Sequence, residues 1–274
     1  MESSSFSGLR GELALGRQEL IAKFRSSTPR ILGASELLAP TVGSPNPICR
    51  LRSGWACQFL GLRDGRRAIV DVYLPGDVIG LDAEIGARSP THVLTLTSAI
   101  VETLSSEDAL SNLMASRRIG LYIAWLLAQR QRRADRLLAA LSFLDARGRL
   151  AMIFLDFYTR LFRRKLITVP EYNFPLTQGQ IGSYAGLTVV HVNRMLRSLS
   201  DDRIVQIQNH YVTILDVERL KELAQGAPTS TASAETEERA SIEGDLAEGA
   251  LVVPPPLLSH SAVSDGPAIT PGAG

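Results

Sequence analysis

The chain has 274 residues, 45% of them hydrophobic and 21% charged, enough apolar content for two modest domains plus tails. Its formal charge of +1 is unevenly placed: residues 226–274 hold seven acidic residues and one basic, leaving 28 basic against 21 acidic in residues 1–225. No stretch approaches the roughly 20 apolar residues that span a bilayer, and the polar start MESSSFSG has no secretory pattern. A cytoplasmic chain with no membrane partner is therefore expected.

Residues 1–24 are set apart as a variable N-terminal segment, and 25–112 read as a β domain. Trp55, Cys57 and Phe59 alternate, Asp64-Gly65 is a hairpin signal, and Ile69 to Tyr73 is a second strand before the turn at Leu74-Pro75-Gly76-Asp77. The run from His92 to Leu104, rich in Val, Leu, Ile and Thr, is expected to continue the same sheet. Many short strands broken by Gly, Pro and Asp turns predict a compact β-roll or jelly-roll. Cys49 and Cys57 are too few for a four-thiolate site, and with His92, His191, His210 and His260 they show no zinc spacing, so no metal and no cofactor is expected. Packed thiols are the expectation in a reducing compartment. With no Ser/His/Asp grouping and no phosphate loop, the chain does not read as an enzyme.

A long helix is expected over 113–144. Gly120, Ala124, Leu127, Gln131, Ala134, Leu138 and Leu141 form one seam at alternating three and four spacing, while the neighbouring seam of Ile119, Ile123 and Leu126 runs into Arg130 and Arg133. The small-residue seam is the better candidate for close self-association. Asp145 to Gly148 reads as a hinge, beyond which Leu150, Phe154, Phe157 and Leu161 share a helix face. Arg160, Arg163, Arg164 and Lys165 form a basic end, either solvated or set against a nucleic-acid backbone.

Residues 176–215 carry the strongest pattern. Thr177 is placed to cap a helix, with Gln180 as its capping-box partner, and Ile181, Tyr184 and Ala185 share the face behind it. Gly186 suits the left-handed conformation of a tight turn, and Thr188 caps the next helix. There Val192, Met195, Leu196 and Leu199 make a buried stripe, so Val190, Arg194 and Arg197 point the other way. After Asp201-Asp202, the runs Ile204 to Gln208 and Tyr211 to Leu215 flank Asn209-His210 as a hairpin. The whole is a helix-turn-helix followed by a two-stranded wing. Arg194 is the first choice to read guanine through a bidentate fork. His191, Thr188, Thr177 and Gln178 stand near helix starts, where phosphate is commonly met, and Asn209 and His210 are candidate wing contacts. Two helices and a short turn also occur in proteins that never meet DNA, so a β-roll ligand-binding protein whose winged helix makes protein contacts stays open on these residues alone. The segment 226–274, with Pro254-Pro255-Pro256 and an acidic balance, reads as a disordered tail, either a solvated extension or a partner-binding segment around Leu251 to Leu258.

This chain resembles the Crp/Fnr family of bacterial transcription regulators. The likeness rests on the Leu-Thr start, the Gly-Leu-Thr turn, the run Val192-Asn193-Arg194-Met195-Leu196 and the wing ending Thr213-Ile214-Leu215-Asp216. In the β domain it rests on Gly54-Trp55 through Pro75-Gly76-Asp77-Val78-Ile79-Gly80. The resemblance implies an α+β fold: an N-terminal β-roll like that of cyclic-nucleotide-binding domains (25–112), a dimerisation helix (113–144) and a C-terminal winged helix-turn-helix (145–225). It also implies a homodimer on a pseudo-palindromic double-stranded operator, with RNA polymerase as a further partner. Cyclic-nucleotide binders of this kind use a Gly-Glu pair and an Arg-Ser pair. Here Gly80 is followed by Leu81, and Arg88-Ser89 comes after a shortened segment, leaving Arg88 and Ser89 as a doubtful phosphate site. Oxygen sensors of the family hold an iron–sulfur cluster on several N-terminal cysteines, whereas this chain has none before Cys49. Neither effector is expected. Val189 and Val190 stand where the family often carries a second charged reader, which predicts apolar contact with thymine methyls and a divergent operator.

Overall fold

The computed structural model describes residues 2–38, 48–63, 65–81, 91–104 and 116–225. Arg88, Ser89, Asp64 and the tail 226–274 lie outside the described residues, as do 113–115 at the predicted start of the long helix.

The chain opens with helix α1 (Glu2–Arg25), followed by strands β1 (Arg30–Leu32), β2 (Cys49–Ser53), β3 (Ala56–Gly61), β4 (Arg67–Tyr73), β5 (Val78–Ile79), β6 (Thr91–Thr95) and β7 (Ala99–Thr103). These strands form two antiparallel sheets, one in the order β1-β7-β2-β5 and one in the order β4-β3-β6. The predicted hairpin at Gly65 joins β3 to β4, closed by the Leu62 N–H on the Arg66 carbonyl at 2.8 Å. Gly76, at φ +95°, allows the turn before β5, a conformation that costs little without a Cβ. The run from His92 to Leu104 is not one continuation of a sheet. It breaks at Leu96 to Ser98, sending β6 to the three-stranded sheet and β7 to the four-stranded one. The Trp55 carbonyl accepts the Leu96 N–H at 2.7 Å and so fixes the corner.

The longest helix, α2 (Arg117–Phe143), is capped by Ser116 and packs along α1. Leu13, Leu20 and Phe24 of α1 meet Ile119, Tyr122 and Ile123 of α2 in one buried cluster, so α1 is packed into the fold from Leu13 to Phe24. Their axes come close because Gly16 lies against the α2 backbone: a Cβ there would stand 2.2 Å from the Arg118 carbonyl oxygen. Gly16→Ala gains about 1 kcal/mol of helix propensity. The clash is with backbone, however, and overpacking of this kind costs about 1–3 kcal/mol. Gly16→Ala is therefore expected to lower the melting temperature, whereas Gly11→Ala, with open space around it, should raise it. Equal shifts of the same sign in thermal melts would contradict this account.

Two residues separate α2 from α3 (Ala146–Arg163). Asp145 caps α3 by accepting the Gly148 N–H at 2.7 Å, so the predicted hinge is a helix N-cap between two long helices. The C-terminal unit continues with β8 (Glu171–Asn173), α4 (Gln178–Ala185), α5 (Val189–Asp201), β9 (Val205–Gln208), β10 (Tyr211–Ile214) and α6 (Val217–Gln225). The wing has three strands in the order β8-β10-β9, one more than predicted. The extra strand is short, and its neighbours Pro170 and Pro175 mask it in the sequence.

The β-roll and the winged helix share a core. Trp55, Cys57, Phe59, Ile69, Val72 and Leu74 belong to the same buried cluster as Phe154, Phe157, Phe174, Tyr184 and Val192. Trp55 stands edge-on to Phe157 at 5.4 Å and to Phe174 at 6.3 Å, and each such pair contributes about 0.5–1.5 kcal/mol beyond its burial. Ala56, on the other face of β3, joins Cys49, Leu51, Tyr73 and Val93 inside the roll. A bulge skips Val70, so Ile69 and Val72 both turn toward the winged helix. The open edge of β4 is closed by Ser183 of α4, whose hydroxyl donates to the Arg67 carbonyl at 2.8 Å and accepts the Ile69 N–H at 3.0 Å. Both cysteines are free and buried, and burial pushes the Cys49 thiol up to about 12 and the Cys57 thiol up to about 11. They are packed thiols, far from forming thiolates at neutral pH.

Candidate nucleic-acid interface

The helix-turn-helix is built as its residues dictate. Thr177 accepts the Gln180 N–H at 3.3 Å while the Gln180 side chain accepts the Thr177 N–H at 2.8 Å, completing the capping box. Gly186 ends α4 at φ +65° in the left-handed region. Gly182 sets the depth of the turn, since a Cβ there would stand 2.5 Å from the Leu187 carbonyl oxygen. Thr188 caps α5 by accepting the His191 N–H at 3.3 Å, and its hydroxyl lies 3.2 Å from His191 Nδ1. Asn209 and His210 both take positive φ, 48° and 63°, the pair of values a two-residue type I′ hairpin needs.

Helix α5 has two sides. Val192 and Leu199 are fully buried, and Met195 and Leu196 are half-buried against the same core. Val190 is 77% exposed, and Arg194 and Arg197 are exposed beside it. Val189, His191 and Thr188 lie exposed at the start of α5, Thr177 and Gln178 at the start of α4, and Asn209 and His210 at the tip of the wing. The first turns of α4 and α5 contain no acidic residue, which leaves the positive ends of both helix dipoles unopposed. The end of α5 is tied back by an ion pair between Asp202 and Arg147 of α3.

The basic end of α3 is placed differently from the sequence reading. Arg160 and Arg164 neither lie in solvent nor face outward for a nucleic-acid backbone. They clamp Asp77 of the β-roll, at 2.8 Å and 2.5 Å, and Asp77 also accepts the Leu74 N–H at 2.7 Å. Burial works against the charged form of Asp77, but the guanidiniums of Arg164, Arg160 and Arg133 together outweigh it and hold its carboxyl well below the usual carboxylate range. Asp71 forms ion pairs with Arg130 and Arg133 of α2, at 3.4 Å and 3.5 Å. In the sequence Asp77 has the signature of a turn residue only. The available signal was Arg160, a charge set three residues after Phe157 and one before Leu161 on an otherwise apolar face.

A β-roll carrying a winged helix-turn-helix through a long helix defines a DNA-binding transcription regulator. Residues 148–223 match the Crp-like helix-turn-helix domain. The chain is 30% identical over 176 residues to the fumarate and nitrate reduction regulatory protein of Vibrio cholerae, covering 64% of this chain and 69% of that one. It is 28% identical over 191 residues to the anaerobic regulatory protein of Haemophilus influenzae, covering 69% and 73%. In fold it is similar to FixK2 of Bradyrhizobium japonicum, with a TM-score of 0.64 at 22% identity over 74% of this chain and 99% of that one. The chain belongs to the Crp/Fnr family of transcription regulators. Among the described residues no helix is long and apolar enough to cross a membrane.

Proposed function

We propose that the protein binds a pseudo-palindromic operator as a homodimer, setting one α5 helix of each protomer in successive major grooves about 34 Å apart. The observation that carries this reading is the two-sided α5, with its back locked in the core and Val190, Arg194 and Arg197 exposed on its front. Arg194 is assigned to base reading, Val189 and Val190 to thymine methyls, and Thr177, Gln178, Thr188, His191 and Arg197 to register on the backbone, with Asn209 and His210 touching it from the wing. RNA polymerase is the further partner assigned to this role.

Dimerisation is assigned to α2. Of the predicted seam, Ala124, Gln131, Ala134 and Leu138 are exposed in the single chain, Leu138 at 65%, and Gly120 has open space where a Cβ would stand. The neighbouring Ile119 and Ile123 are already consumed by α1. Ala134→Glu, which sets a carboxylate in the seam of each protomer, is expected to reduce the mass seen by light scattering from twice 29.7 kDa to that of one chain. An unchanged mass would move the interface elsewhere.

The effector is neither a cyclic nucleotide nor an iron–sulfur cluster. In support, Leu81 stands buried where a ribose-binding Glu would follow Gly80, and Cys49 and Cys57 are both packed inside apolar clusters. Selection of bound sequences from random DNA, with and without added cyclic nucleotide, tests the whole reading. It is expected to yield a two-fold symmetric motif that is the same in both arms. Recovery of no motif, or of one only with the nucleotide, would overturn it.

A further inference from the structure

Along the front of α5, Val190, Asn193, Arg194, Arg197 and Asp201 line one open concavity. Asp201 follows Arg194 by seven residues and Arg197 by four, which at roughly 100° per residue returns it to within about 40° of both. Its carboxylate therefore stands on the side assigned above to DNA. The two acids that end the helix are not alike. Asp202 is drawn back to Arg147 of α3. Asp201 is exposed and forms no ion pair among the described residues, although Arg197 lies one turn before it and Arg203 two residues after it. It also sits in the last turn of α5, which holds no basic residue, at the negative end of the helix dipole, where a carboxylate is disfavoured. A local rule is broken with no local compensation, and such breaks are expected at functional positions.

We infer that Asp201 limits the affinity of this protein for DNA: its carboxylate repels the phosphate that Arg197 holds and weakens binding to every sequence alike. The inference rests on the operator reading above. Phosphate contacts supply essentially all of non-specific binding and carry no sequence information. Base contacts add their own increment to that term. Holding the phosphate term down makes occupancy of a site depend on the base contact of Arg194, and repulsion of this kind is one of the two ways a surface discriminates. The competing role is base reading by Asp201 itself, through a cytosine amine. A recognition helix meets base edges with its N-terminal residues, however, and so a residue in its last turn lies nearer the backbone.

The test is a set of anisotropy titrations of the full chain on two duplexes of equal length, one carrying the motif recovered by selection and one with that motif scrambled, across about 50 to 200 mM salt. Asp201→Asn is expected to bind both duplexes about tenfold more tightly, with a slope of log affinity against log salt steeper by about two, one added phosphate contact per protomer. Asp201→Glu, which keeps the charge, should behave as wild type. Glu36→Gln removes the same charge from an exposed position in the roll and should leave both affinities as in wild type. Thermal melts should find Asp201→Asn no less stable than wild type. Three results would each overturn the proposal: equal shifts in Asp201→Asn and Glu36→Gln, which reduce the effect to net charge; unchanged affinity in Asp201→Asn; or an altered order of preference among single-base variants of the motif, which makes Asp201 a base reader. The operator reading is scored on wild type alone. A wild type that binds neither duplex sinks both, whereas one that binds its two-fold motif while the Asp201 variants fail these expectations sinks only this inference.

Discussion

Asp77→Asn is expected to destabilise the protein by about 3–5 kcal/mol at pH 7, the usual cost of removing one partner from a buried ion pair and leaving its charges uncompensated. Asn keeps the volume, and its side-chain oxygen still accepts the Leu74 N–H, so the loss isolates the charge that faces Arg160 and Arg164. The pH dependence has a definite sign. An aspartate in the unfolded chain titrates near about 3.9, and that of the folded protein is depressed below it. Its stabilisation is therefore fully present above the unfolded value and is lost as pH falls through the folded one. Urea titrations of wild type and variant should differ most at neutral pH and begin to converge only below about pH 4. A gap that stays constant on acidification would mean that Asp77 acts by shape, and the electrostatic account of the clamp would fail. Because the clamp joins the roll to α3, Asp77→Asn should also loosen the winged helix, read as faster amide exchange in β4 and α4, the strand and helix that Ser183 connects.

The second large effect is on DNA. Arg194→Ala is expected to cost about 1–3 kcal/mol per half-site, roughly additive over two half-sites, and to flatten base preference at one symmetric position. The exposed Arg194 lies away from the buried stripe of Val192 and Leu199, so its truncation should leave the melting temperature unchanged. Thr177→Ala is the contrasting case. Thr177 caps α4, and its loss should cost about 0.5–2 kcal/mol of stability while weakening binding to all sequences alike. Competition titrations against a set of operators with single-base changes would separate the two. If Arg194→Ala leaves the rank order of those operators intact, the base-reading role passes to another residue.

The helix-turn-helix was legible because its signals are local: a capping box at Thr177, a left-handed glycine at 186, a capping Thr188 and a 3.6-residue stripe all act within one or two turns of chain. The hairpin at Asn209-His210 was legible for the same reason. The roll was legible as a class but not in its connections, since the break at Leu96 to Ser98 depends on which sheet each half of the run finds to pair with. Helix α1 left a faint trace, because its burial is set by Gly16 meeting the backbone of Arg118, about a hundred positions away. The clamp on Asp77 was hidden for the same physical reason. Its partners lie more than eighty residues downstream, and a Pro-Gly-Asp turn and a basic helix end each have a sufficient local explanation.

Strand β3 serves two structures by parity. Trp55, Cys57 and Phe59 answer to the winged helix, while Ala56 and Gln58 answer to the roll and to Arg130 of α2. A single residue inserted before Trp55 would exchange these sets and present each core with the side chains meant for the other. The two halves of this regulator are thus written on alternate letters of one five-residue phrase, and neither can drift in sequence there without the other.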